Sequence, residues 1–149
     1  MFELTINSLQ ECESFAEKFS KLLRKGDVVS LVGDLGAGKT TFTKFVGKYF
    51  GIVEDITSPT FNLVNVYYGK FEFNHMDLYR IDFLEELYQI DYENYFYPEG
   101  VTLIEWAEKA KELLPKNIIE LEILKISESS RKFIIKENNK RELEIVEEL

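Results

Sequence analysis

Eight consecutive residues, Gly33-Asp34-Leu35-Gly36-Ala37-Gly38-Lys39-Thr40, fit the pattern G-x-x-x-x-G-K-[ST] without a mismatch. The chemistry of such a phosphate loop (P-loop) explains its spacing. Glycines let the backbone curl so that several N–H groups point inward at phosphate oxygens. A helix that follows aims its positive end at the same point. Lys39 has the reach for the outer phosphates, and the Thr40 hydroxyl suits Mg²⁺, which keeps several waters and takes few protein ligands. The alternative, a glycine-rich turn that binds nothing, is disfavoured because the motif falls between a predicted strand and a predicted helix.

Hydrolysis needs a second hold on the metal and a group that positions water. Two acids stand at the ends of apolar strands: Glu105 closes "VTLIE" and Asp77 closes "FEFNHMD". Each could instead cap the next element. The stretch "TSPTF", Thr57 to Phe61, is either a plain turn or a switch in which one of its three hydroxyls senses the metal or the terminal phosphate. His75 is the only histidine, so no zinc cluster is expected and a structural role leads. Trp106 follows Glu105 and is either core or a neighbour of the nucleotide. Tyr92, Tyr95, Phe96 and Tyr97 form either a core loop or a partner-facing patch. "NKRE" at 139–142 has only a superficial likeness to a guanine-reading motif, which leaves adenine as the default base.

These residues need elements to carry them. Leu9, Cys12, Phe15, Ala16, Phe19, Leu22 and Leu23 fall on one helical face, with Ser8 as N-cap and Gly26 past the end. "DVVSLVG" reads as a buried strand and "KTTFTKFVGKYF" as a helix. "FNLVNVYYGKFEFNHMDLY" alternates about Gly69-Lys70, a β-hairpin, so the sheet is expected to be mixed and not purely parallel. "DFLEELYQI" reads as a short helix that Asp82 could cap, and "AEKAKELLP" as a helix stopped by Pro115. "VTLIEW", "NIIELEILKI" and "RKFIIKE" are strands. From Asn139, with Glu142 three residues on, a capped helix is expected. The fold class is thus α/β: a P-loop NTPase with a mixed, partly antiparallel central sheet flanked by helices, one domain over residues 1–149.

The composition is that of a globular chain, with 45% hydrophobic residues. No apolar run approaches the roughly 20 residues of a membrane span. The start "MFELTINSLQ" lacks the pattern of a secretory signal, and Cys12 is the only cysteine, so a cytoplasmic protein is expected. The net charge of −9 argues against a broad phosphate-backbone footprint, so no direct DNA binding is expected and any RNA contact falls to a partner.

Taken together, "GDLGAGKTTF", "SPTFNLVNVY", "HMDLYR" and "VTLIEWAE", in this order, resemble the TsaE family (formerly YjeE), small bacterial ATPases of tRNA threonylcarbamoyladenosine synthesis. The likeness covers nearly the whole chain. It implies a P-loop ATPase that uses ATP and Mg²⁺ and binds the TsaD–TsaB heterodimer, the threonylcarbamoyl transferase. ATP turnover would reset that complex, and tRNA would be met through it. By motif, the resemblance implies that Gly33, Asp34, Leu35, Gly36, Ala37, Gly38, Lys39, Thr40 and Thr41 cradle the nucleotide, with Trp106 and Arg131 beside it. Thr40, Asp77 and Glu105 would serve the metal, with Lys39, Glu105 and Asp77 the catalytic set. Ser58 and Thr60 would belong to the switch-like loop, and Arg80 would meet a partner or hold that loop. The first helix carries "ECESFAEKF" where the family usually has a threonine near its start.

The chain has four arginines, Arg24, Arg80, Arg131 and Arg141, and no clear arginine finger. Slow turnover alone and activation by the partner are therefore expected. Two rivals stand: a small-molecule P-loop kinase, for which no arginine-rich lid is present, and a nucleotide-gated binding module with negligible hydrolysis.

Overall fold

Period-2 alternation and 3.6-residue periodicity divide this chain between sheet and helix much as its sequence predicts. The computed structural model describes residues 1–60 and 62–149. Phe61, the last residue of the switch-like motif, lies outside the described residues. In chain order the elements are β1 (Phe2–Ile6), α1 (Leu9–Leu22), β2 (Val28–Val32), α2 (Lys39–Tyr49), β3 (Val64–Tyr68), β4 (Glu72–Asp77), α3 (Glu85–Gln89), α4 (Glu93–Phe96), β5 (Val101–Glu105), a 3₁₀ segment (Ala107–Leu113), β6 (Ile119–Lys125), β7 (Arg131–Ile135) and α5 (Lys140–Glu148).

The seven strands form one sheet in the order β1-β7-β6-β2-β5-β4-β3. β6, β2, β5 and β4 run parallel. β1 and β7 at one edge, and β3 at the other, are antiparallel to their neighbours. The mixed sheet expected from the hairpin is therefore present. Of its parallel strands, β2, β5 and most of β4 are buried on both faces, as "VVSLV" in β2 requires, while β6 buries one face only. One face packs on α1 and α2 through a cluster of Phe15, Phe19, Phe42 and Phe133. The other face, over β4 and β5, is covered by α3, α4 and the 3₁₀ segment through Met76, Leu78, Leu87, Phe96, Ile104 and Ala107.

The sequence reading changes in four places. β1 was not foreseen: "FELTI" alternates, and its Phe2 and Leu4 join the first core through pairing with β7. Asp82 does not cap α3. Its own N–H and that of Phe83 donate to Glu86 Oε2, so the acid inside the helix reaches back to the turn. The segment after β5 is a 3₁₀ run broken by non-helical backbone at Ala110. The aromatic run 92–97 divides: Phe96 is core and Tyr97 is exposed. The capped α5 stands as read, with Glu142 N–H donating to Asn139 Oδ1 at 2.9 Å, while the Glu142 side chain accepts from Asn138 and Glu120 N–H.

Candidate functional site

The P-loop sits where β2 ends and α2 begins. Gly38 occupies that junction at φ +106°, a left-handed conformation that a side chain would strain. Gly33 packs so close to β6 that a Cβ would fall 2.7 Å from the Ile123 carbonyl oxygen. Lys39 is the first residue of α2, so its ammonium and the helix N-terminus face the same space.

β5 and β4 bring the acids to that space. Their parallel register sets Asp77 opposite Glu105, two carboxylates side by side at adjacent strand ends. Neither strand alone reveals this pairing. Glu105 is 5% exposed. Its Oε1 lies 3.6 Å from Lys39 Nζ and its Oε2 lies 2.9 Å from His75 Nε2. Burial pushes the Glu105 carboxyl up, but the hydrogen bond and charge of His75, and then Lys39, outweigh it and hold the carboxyl below its ordinary range. Glu105 is therefore ionised at neutral pH. Asp77 Oδ1 accepts from the Tyr79 N–H at 3.0 Å.

Trp106 takes a left-handed backbone, φ +61°, directly after Glu105. That turn sets its indole 5.3 Å from Lys39 Nζ and 5.0 Å from the Tyr79 ring. Arg80 Nη1 donates to the Thr60 carbonyl at 2.9 Å, and Asn65 Nδ2 donates to the Thr57 carbonyl at 3.2 Å, so the loop carrying Ser58 and Thr60 is tied at both ends. Arg131 holds the P-loop from behind. Its Nε donates to Ala37 O at 2.7 Å and its Nη2 to Gly36 O at 3.3 Å, while Nη1 spans the carbonyls of Ser127, Glu128 and Ser130. Its guanidinium is thus spent on backbone oxygens.

These groups enclose one cleft of about 1190 Å³, lined by P-loop residues, Ser58, Thr60, Asp77, Arg80, Glu105, Trp106 and Arg131. Gly33 and Ala37 stand behind the loop and not on the cleft wall; Ala37 is core. A second cavity of about 260 Å³ opens on the other side of Gly38, between Leu9, Cys12 and Phe133. Sequence reasoning left Tyr79 and His75 without a place in the site. Tyr79 stood inside the "HMDLYR" run, and His75 lies two residues before Asp77 on the same strand face.

The donors in the cleft fit a hard divalent cation. The Thr40 hydroxyl and the carboxylates of Asp77 and Glu105 are oxygen ligands of the kind Mg²⁺ prefers. Among the described residues no group of three His, Cys, Asp or Glu side chains forms a metal cage. The cleft thus offers a few oxygen donors beside an anion cradle.

Comparison with protein families matches residues 6–133 to the family described as "Threonylcarbamoyl adenosine biosynthesis protein TsaE". The chain belongs to the TsaE family. Among relatives of that name, the protein of Rickettsia prowazekii is 40% identical over 91% of this chain and 94% of its own length. That of Treponema pallidum is 37% identical, covering 86% and 95%, and that of Bacillus subtilis 37% identical, covering 85% and 79%. The crystal structure of Bacillus subtilis YdiB matches with a TM-score of 0.78 at 30% identity, covering 99% of this chain and 92% of that one. The fold is accordingly that of the TsaE family, a P-loop NTPase family with a mixed sheet. No helix among the described residues is long and apolar enough to cross a membrane.

Proposed function

We propose that the chain, acting as a single domain over residues 1–149, is a Mg²⁺-dependent ATPase of tRNA threonylcarbamoyladenosine biosynthesis. In this reading it binds the TsaD–TsaB heterodimer in the cytoplasm and resets it by ATP turnover. The observation that carries the hydrolysis is Lys39 Nζ at 3.6 Å from Glu105 Oε1, a phosphate-binding cation beside a buried, ionised acid. Phosphates entering the cleft compete with Glu105 for Lys39. The acid is then left with a free oxygen facing the γ-phosphate, where it orients water. Thr40 and Asp77, with Glu105, would hold Mg²⁺, which when bound neutralises charge on the phosphates. The amides of residues 33–41 and the α2 N-terminus cradle the phosphates. Arg131 keeps the cradle in shape, and Trp106 flanks Lys39. The second cavity has room for the nucleoside.

The partner reading is supported by the cleft lining. Leu35, 100% exposed, and Tyr79, 56% exposed, are apolar groups on the lining of the cleft. A protein partner that covers them would also close the nucleotide site, which couples docking to turnover. Ser58, Thr60 and Arg80 lie between the two. The net charge of −9 supports meeting tRNA through that partner.

The test is Mg²⁺-dependent ATP hydrolysis by the purified chain, alone and with a TsaD–TsaB heterodimer. Turnover is expected to be slow alone and to rise with the heterodimer. Lys39→Ala should lose nucleotide binding, and Glu105→Gln should retain binding with turnover lowered roughly 100-fold or more. Binding of the heterodimer without a rise would replace this reading by a nucleotide-gated switch. Neither binding nor a rise, with phosphate passed to a small acceptor, would replace it by a kinase.

A further inference from the structure

We infer that His75 is a positioning residue for Glu105, holding that carboxylate in the orientation that presents Oε1 to the cleft. The inference rests on the hydrolysis reading and names the group that aims its water-orienting acid. β4 places His75 opposite Leu103 of β5, one step below the Asp77–Glu105 pair and on the same sheet face. The ring is fully buried. Its Nε2 meets Glu105 Oε2 at 2.9 Å, while Oε1 of the same carboxylate is turned to Lys39 at 3.6 Å. The two oxygens are thereby given separate tasks. In the tautomer with its proton on Nε2, the ring donates to that oxygen.

A core-filling role accounts for His75 poorly. Its Nδ1 has no hydrogen-bond partner among the described residues. An apolar ring or leucine would fill the space without burying an idle nitrogen. The bond to Glu105 is the one polar contact recorded for the ring among the described residues. Its value rises when nucleotide enters. Phosphates then draw Lys39 away, and His75 is left as the partner that keeps a side chain with three rotatable bonds in one orientation. Misplacing a reacting group by about 1 Å costs on the order of 100-fold in rate.

The experiment compares wild type, His75→Leu and His75→Gln, each checked for a cooperative thermal transition. It measures equilibrium affinity for Mg²⁺-ATP, turnover under saturating ATP, and emission from Trp106, the only tryptophan of the chain. His75→Leu is expected to lower kcat by on the order of 100-fold with ATP affinity changed by less than about threefold. The glutamine amide nitrogen can donate to Oε2, so His75→Gln should recover most of the rate. Adding His75→Leu to Glu105→Gln should cost little further, because both changes disable one unit. Trp106 emission of the nucleotide-free His75→Leu variant should differ from wild type, since Lys39 lies between Glu105 and the indole, and His75→Gln should resemble wild type. Unchanged kcat in His75→Leu, or equal losses in the Leu and Gln variants, would overturn the inference. If wild type proves unable to turn over ATP, the hydrolysis reading fails by itself, and the Trp106 emission still decides whether His75 orients Glu105. Should His75→Leu not fold, His75→Asn, too short to reach Glu105, takes its place with the same expectations.

Discussion

Single residues in this site carry conformational costs that only their neighbours explain. Trp106 holds a left-handed backbone, which costs an aromatic residue on the order of 1–2 kcal/mol. In return the chain passes from β5 straight into the 3₁₀ segment and the indole lies beside Lys39. Cys12 is a contrasting case, a nucleophile disarmed by its surroundings. Burial pushes its thiol up to about 11, against a lowering by Arg131 and a further small rise from Glu13. The folded chain therefore holds the Cys12 proton more tightly than the unfolded chain. Stability from this group is complete below its ordinary pKa of 9.0 and is lost as pH climbs from there through about 11. At pH 8 iodoacetamide should alkylate Cys12 many times more slowly in the folded chain than in denaturant, with the native rate climbing toward pH 11. Equal rates in the two states at pH 8 would show a thiol that is neither buried nor raised.

Among elements, α5 shows how a short terminal helix is fixed. Arg141 in its first turn donates through Nε to Asp27 Oδ1 at 2.9 Å and through Nη2 to Asp27 Oδ2 at 2.8 Å, with both side chains buried, and it also donates to the Leu22 carbonyl. Asp27 Oδ2 in turn accepts from the Arg24 N–H at 2.8 Å, so one carboxylate ties α5 to the α1–β2 connection. Asp27→Ala leaves a buried guanidinium unpaired and should cost about 3–5 kcal/mol in urea unfolding. Adding Arg141→Met should return most of that loss, short of the part owed to Arg24. A double variant as unstable as Asp27→Ala would mean the Arg24 contact dominates. Neither partner announces this pair in the sequence, where they stand far apart in otherwise ordinary positions. The helices and the hairpin were legible because their periodicity is local. β1 was not, because five residues gain their hydrophobic face only by pairing with β7. The P-loop and the strand-end acids were legible for the same local reason. The Glu105–His75 contact was not, since it depends on the parallel register of β4 and β5. Arg131 lines the cleft, and at 2.7 Å from Ala37 O it also grips the loop, a contact that depends on β7 coming beside the P-loop.

For the whole molecule, the sheet is unevenly clothed, and the cleft lies where that clothing changes. Around β2, β5 and β4 both faces are packed, whereas the outward side of β1, β7 and β6 carries Glu3, Thr5, Glu120, Glu122 and Lys132 in the open or half-open. The P-loop belongs to the first core, and Leu63, Ile90 and Trp106 on the same cleft pack against the second. A ligand spanning the cleft would bind both parts at once, and binding to the folded state alone stabilises the whole chain by mass action. At about 100 times its dissociation constant Mg²⁺-ATP adds about 2.7 kcal/mol. For a chain of this size that raises Tm by roughly 5–10 °C. Lys39→Ala should abolish this rise, because the phosphates lose their cation. Glu105→Gln should keep it or enlarge it, because the neutral side chain no longer competes for Lys39. The measurement is a thermal melt with and without Mg²⁺-ATP for the three proteins. A wild-type Tm indifferent to saturating nucleotide would remove the P-loop from the function, and a rise lost equally in both variants would make Glu105 a metal anchor before it is a water-orienting acid.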